Sequence, residues 1–216
     1  MTRAINRVIA VAALATTALL APGESAGAAT APVTVRSEAS WRSTAPESGA
    51  VLYTANWSSG LNGWAGSTAW KTLRGVLLND GTGNRTPILA PFDAGETTGY
   101  AVEARMRVVR AGSIFGLAVR RQRDGGGYSA VIRSGELPAV RYGEDSGSLT
   151  DSQPFDPGDG WHVYRLQADG NVVTFLIDGA RFATLTDNRF LDGGLSGIIS
   201  EGYQLEISSY TVARLP

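Results

Sequence analysis

The sequence predicts an all-β sandwich, and three observations carry this. From about residue 50 onward, short runs alternate apolar and polar residues, as half-buried strands do. Glycine clusters separate the runs: the chain has 27 glycines and 9 prolines, and they fall at turn-like positions. No stretch shows a helical period of about 3.6 residues. At 216 residues the chain suits one β domain with a sizeable core.

The elements follow in order. Residues 1–28 read as a cleavable export leader (signal peptide). Arg3 and Arg7 supply a positive start, residues 8–20 are apolar but short for a membrane span, and Pro22-Gly23 breaks the run. Ala26-Gly27-Ala28 fits a small-residue cleavage site. With no cysteine, a lipid anchor on that residue is excluded. The mature protein is expected to be secreted, with no membrane association once the leader is gone. Residues 29–49 are rich in Ser, Ala, Thr, Pro and Glu and read as a flexible N-terminal arm. Residues 50–216 form the sandwich. Strands are expected near 51–55, 68–78, 86–90, 99–109, 113–122, 127–133, 139–143, 161–168, 172–177, 181–185, 194–200 and 203–214.

Within "HVYRLQADGNVVTFLIDGARFATL", Tyr164, Leu166 and Ala168 share one strand face, as do Val173, Phe175 and Ile177. These are the expected core sides. Arg165, Gln167, Thr174 and Leu176 fall on the opposite, mixed surface.

Composition narrows the function. A net charge of −1 argues against a nucleic-acid partner. One histidine and no cysteine cannot supply the usual zinc ligands. No G-x-S-x-G elbow accompanies His162, whose parity with Tyr164 places it at the core edge.

"VLYTANWSSGLNGW", "WKTLRGVLLNDG", "YAVEARMRVV" and "IFGLAVRRQRDGGGYSAVIRSG" precede "GWHVYRLQADGNVVTFLIDGARFATLTD", "GLSGIIS" and "YQLEISSYTVARL". From Val51 to Leu215 this order resembles the concanavalin A-like lectin/glucanase superfamily, nearest its laminin G-like and 3-keto-disaccharide-hydrolase-like members. The resemblance implies a jelly-roll β-sandwich of two curved antiparallel sheets, with a concave face or loop rim that commonly binds sugar. It also implies a calcium site between the first and last strands. There this chain departs, with Ala55-Asn56-Trp57 and Ser208-Ser209-Tyr210 where acids are expected.

The superfamily's glucanases use Glu-x-Asp-x-x-Glu. The nearest stretch here is "EGYQLE", which makes Glu201 and Glu206 the weak catalytic candidates, with Tyr203 in place of the aspartate. Retaining hydrolysis needs carboxyls about 5–5.5 Å apart. The acidic segment "GEDSGSLTDSQPFDPGDG" offers Asp145, Asp151, Asp156 and Asp159 as weak calcium ligands, although its spacing matches no EF-hand or RTX repeat. No other cofactor is expected.

Aromatic residues beside arginines suit sugars better, because rings stack on sugar faces and guanidiniums bind hydroxyls. Tyr128, Arg133, Arg141 and Tyr142 on neighbouring strands are the candidate ligand contacts. Alternation puts Tyr128 and Arg133 on opposite faces, and likewise Arg141 and Tyr142, so one of each pair is expected to matter. Trp57, Trp64 and Trp70 read as packing residues. The expected function is an exported, non-catalytic, glycan-binding lectin-like domain with a glycan or polysaccharide partner. The alternatives are a carbohydrate-active hydrolase of the 3-keto-glycoside type and an extracellular structural or protein-interaction domain.

Overall fold

A computed structural model describes residues 49–82, 87–142, 146–148 and 153–216. The expected leader and nearly all of the expected arm lie outside them.

The strands are β1 (Val51–Thr54), β2 (Trp70–Leu73), β3 (Val76–Asp80), β4 (Ile88–Asp93), β5 (Gly99–Arg110), β6 (Ile114–Arg121) and β7 (Tyr128–Arg133). They continue as β8 (Ala139–Tyr142), β9 (Ser146–Ser148), β10 (Trp161–Asp169), β11 (Val172–Ile177), β12 (Ala180–Thr186), β13 (Leu195–Glu201) and β14 (Gln204–Arg214). No helix occurs among the described residues. An eight-stranded antiparallel sheet runs β12-β11-β10-β5-β14-β3-β2, with β1 also paired to β14. A six-stranded antiparallel sheet runs β4-β13-β6-β7-β8-β9. The fold is the expected jelly-roll sandwich.

The run expected at 68–78 is two strands. Arg74 (φ 52°) and Gly75 (φ 76°) fold it back as a two-residue hairpin. Both positions require the left-handed backbone, which glycine adopts freely and arginine rarely. The short β9 falls inside the acidic segment, where no strand was expected.

The β10–β11–β12 meander matches its sequence pattern. Tyr164 faces Ile177 and Leu166 faces Phe175 across the first hairpin, and Asp178-Gly179 turns the second with both residues at positive φ. Asp178 also ties the second turn back to β10: its Oδ1 accepts the Val163 amide at 2.8 Å. Tyr164, Leu166, Ala168, Val173 and Phe175 are fully buried. They meet Phe115, Leu117 and Ile132 of the other sheet in one core, each large side chain contributing about 1.5–3 kcal/mol by leaving water. Trp57, Trp64 and Trp70 are buried as expected, Trp64 packing edge-on against Tyr210 and donating its Nε1 hydrogen to the Tyr53 hydroxyl.

One departure from alternation shapes the end of β6. Leu195 pairs with Arg121 and Gly197 with Ala118, so Val119 and Arg120 together oppose a single residue of β13. This bulge, with Arg120 at φ 52°, accompanies an arginine turned into the interior and fully buried. Its guanidinium donates to the carbonyls of Thr98, Gly170 and Phe190 at 2.6, 2.6 and 2.9 Å.

Candidate functional site

The four residues singled out from the sequence divide between the two faces of the six-stranded sheet. Tyr128 and Tyr142 lie directly opposite each other on β7 and β8 and face inward. Tyr128 is completely buried, so it is not a surface contact. Its hydroxyl donates to Asp187 Oδ1 at 2.8 Å and accepts the Phe190 amide at 3.2 Å. Burial pushes the pKa of this hydroxyl up, which keeps it a donor. Tyr142 is half-buried, with the Arg189 guanidinium 3.6 Å from its ring centroid. That face of the ring is therefore already covered.

Arg133 and Arg141 project from the other face and converge. Arg133 ends β7 opposite Ile114, and Arg141 lies on β8 opposite Ser129. The β7–β8 turn, closed by the Glu136 amide on the Arg133 carbonyl at 3.2 Å, returns Glu136 toward both. Its carboxylate lies 3.7 Å from Arg133 Nη1 and 3.4 Å from Arg141 Nη2. Glu136 is half exposed, while the two arginine side chains are mostly covered. Arg133 Nε is buried with no hydrogen-bond partner among the described residues, so its donor capacity is only partly used.

Two clefts meet at Arg133. One, of about 320 Å³, is lined by Ser113, Ile114, Arg133, Ser134, Glu136 and Glu201. The other, of about 270 Å³, has Arg133 and Ser134 on one side and Ile132, Phe155, Asp156 and Tyr203 among its walls. The first is at the lower end of the roughly 300–1,000 Å³ range of small-ligand sites. In its wall the Arg133 guanidinium stands with the carboxylates of Glu136 and Glu201, and Arg141, outside the lining, reaches Glu136. Such a balanced set both donates to and accepts from hydroxyls.

The other candidates do not form a catalytic centre. Glu201 ends β13 on the outward side of the six-stranded sheet. Glu206 lies on β14 in the other sheet, and its Oε2 takes Arg107 Nε at 2.7 Å. The two glutamates stand on different sheets, because the Gly202 turn (φ 76°) carries the chain across the sandwich between them. His162 Nδ1 lies 2.7 Å from Asp178 Oδ2, with Phe155 edge-on to the ring. Among the described residues no serine hydrogen-bonds this pair. Asp156 Oδ1 accepts the Gly158 amide at 3.0 Å, which makes it a turn residue. Asp159 is exposed, and Asp145 and Asp151 lie outside the described residues. No three His, Cys, Asp or Glu side chains gather as a metal site among the described residues.

Sequence reasoning missed Glu136, which sits in a turn outside any strand pattern. It also missed a second cluster, on the outward face of the eight-stranded sheet. There Trp161 lies under the guanidiniums of Arg105 and Arg107, whose carbons are 4.5 and 5.1 Å from the ring centroid. The charged odd positions of "VEARMRV" were its signal, because they share the parity that faces away from Val102, Ala104 and Met106.

No protein-family model and no curated protein matches the sequence. Solved structures do match. A protein of unknown function with a galectin-like fold from Bacillus subtilis has a TM-score of 0.63 at 14% identity, over 79% of this chain and 99% of that one. The carbohydrate-binding module CBM66 from Bacillus subtilis has a TM-score of 0.53 at 15% identity, over 78% of this chain and 99% of that one. An endo-β-1,3-glucanase from Pyrococcus furiosus has a TM-score of 0.56 at 11% identity, over 77% of this chain and 94% of that one. The fold is the concanavalin A-like jelly roll. It carries both binding modules and hydrolases, so function must be argued from the site.

Proposed function

We propose that this chain is an exported lectin-like module that binds a neutral glycan at the Arg133–Glu136–Arg141 cluster, without covalent chemistry. The observation that carries the reading is one carboxylate held between two guanidiniums, one of which, Arg133, stands where two clefts meet. Planar charged groups of both signs suit vicinal hydroxyls: guanidiniums donate in pairs, and carboxylates accept. Phe155, half-buried in the adjoining cleft, offers apolar surface to the flat side of a neighbouring sugar ring. The glycan-binding module among the similar structures agrees with this reading. No metal is required.

Isothermal titration against a panel of neutral oligosaccharides tests it. Arg133→Ala and Arg141→Ala should each weaken binding about tenfold, the loss expected for one charged hydrogen bond. Tyr128→Phe should leave affinity unchanged, since its hydroxyl faces Asp187 inside the fold. A glycan that binds while neither arginine variant weakens it by about threefold moves the site elsewhere. Release of reducing ends from a bound glycan would turn the reading to hydrolysis. Complete absence of glycan binding would favour the protein-interaction alternative.

Export rests on the leader pattern of residues 1–28. N-terminal sequencing of secreted product should begin at or next to Ala29. Retention of Met1 outside the cell would overturn this part.

A further inference from the structure

The outward face of the eight-stranded sheet carries a second organised cluster, built from residues the first site does not use. Register places Trp161 on β10 opposite Arg107 on β5, Arg107 opposite Glu206 on β14, Glu206 opposite Leu78 on β3, and Leu78 opposite Lys71 on β2. The next rows hold Arg105 opposite Val163, and Arg165 between Leu176 and Glu103. Arg181 stands opposite Leu176. In this area Lys71, Arg105, Arg107 and Arg181, with the buried Arg165, stand with three carboxylates, those of Glu103, Glu206 and, beside Lys71, Asp80. In a chain of net charge −1, that positive excess is local.

We infer that this face is a second saccharide-binding surface and that it takes acidic glycans, chains whose sugars carry carboxylates. Trp161 and Arg107 are its centre. Arg105, Arg165 and Arg181 hold further contacts, and the assignment does not depend on their being free. The Arg107 guanidinium stacks on the indole and is anchored by Glu206, with Nε and Nη2 both near Oε2 at 2.7 and 2.6 Å. Its Nη1 has no partner among the described residues, and the side chain is 40% exposed. A stacked, anchored guanidinium loses little side-chain freedom on binding and presents its remaining N–H edge outward, the geometry that recognises a carboxylate. Val109, 55% exposed at the β-bulge two positions along β5, adds apolar surface for a sugar ring. The Arg133 cluster differs in kind. Its arginines are matched by carboxylates, which suits neutral hydroxyls. The two faces belong to different sheets, so a failure of one assignment leaves the other standing.

The test uses the mature protein and oligogalacturonate as probe, with its fully methyl-esterified form as the neutral control and polyphosphate as a non-sugar anion. Oligogalacturonate should bind, and binding should weaken as salt is raised. Trp161→Ala and Arg107→Gln should each weaken it about tenfold, while Arg123→Ala, at an exposed arginine between β6 and β7 that belongs to neither cluster, should change it less than about twofold. The methyl ester should lose most of the affinity. Unchanged melting temperatures and Trp161→Phe, which keeps a ring under the guanidiniums, separate contact from misfolding: the phenylalanine variant should retain part of the binding. The assignment is overturned if the ester binds as well as the acid, if polyphosphate binds as well as the uronate, or if neither centre variant weakens binding. Absence of binding at about 1 mM probe also overturns it.

Discussion

Arg120→Met is expected to lower the folding free energy by about 4 kcal/mol and the melting temperature by roughly 10 °C. Arg120 is fully buried, and its guanidinium is held by main-chain carbonyls from three separate places: Thr98 before β5, Gly170 in the β10–β11 turn, and Phe190 after β12. Its own amide donates to the Tyr100 hydroxyl at 2.8 Å. Burial draws the pKa of the guanidinium below its ordinary value, with Tyr100, Tyr128, Asp169 and Asp192 opposing the shift, but an arginine stays charged under all working conditions. Methionine fills much of the volume yet leaves three carbonyls without their donor, and each hydrogen bond to a charged group is worth about 1.5–3 kcal/mol. Water reaching the loop carbonyls recovers part of that, which sets the estimate near the middle. Arg120→Lys should not rescue, because an ammonium offers its donors from one point and cannot reach three separate carbonyls. Chemical denaturation with both variants checks this. A methionine variant within about 1 kcal/mol of the parent would show that the carbonyls are satisfied in another way. Arg120 lies at the end of β6 that pairs with Tyr128, whereas Arg133 pairs with Ile114 at the other end. Glycan binding by the folded variant should therefore persist.

How much was legible in the sequence depended on whether a strand has one dry face or two. The meander from Trp161 to Thr186 was readable to within one residue at its strand ends, although Arg165 and Leu176, expected on the face opposite the core, are buried. Its inward positions are apolar and unbroken, its outward ones are mixed, and Asp-Gly marks the second turn. The β6–β7 hairpin was harder. "IFGLAV" and "YSAVI" are apolar at both parities, so alternation could not say which side faces the core, and Tyr128 was assigned to the surface when it packs inside. The same ambiguity hid Arg120. Only the bulge opposite Ser196 turns it inward, and a bulge depends on pairing with β13, some 75 positions later in the chain. Arg133 and Arg141 were found because they stand beside aromatic residues on neighbouring strands, and the sequence left open which member of each pair faces outward. Glu136, which brings them together, sits in a turn whose path no periodicity describes. The strand break between Glu201 and Glu206 was legible, but not that the two strands belong to different sheets, because spacing along the chain does not reveal sheet membership.

Gly116→Ala is expected to destabilise the protein by about 3 kcal/mol, a far larger effect than glycine-to-alanine changes have in open sites. Gly116 is central in the six-stranded sheet, paired with Val131 on one side and Ile199 on the other. A Cβ built there would overlap the Ala130 carbonyl oxygen of β7 and crowd the Val131 Cα at 3.1 Å. These are backbone atoms, so no side-chain rotation relieves the overlap; the strands must move apart and weaken the ladder between them. Ordinarily alanine gains about 0.5–1 kcal/mol over glycine in regular structure through the smaller entropy of the unfolded chain, and here the steric term must exceed that gain. Gly75 supplies the control for exposure, since a Cβ there meets nothing within 4 Å although its φ is 76°. Gly75→Ala should lose about 1 kcal/mol from backbone strain alone. Equal losses in the two variants would show that conformation, not crowding, governs both positions. A loss at Gly116 at least twice that at Gly75 would place the close approach of β6 and β7 among the constraints that hold the Arg133 end of β7 in register with Ile114.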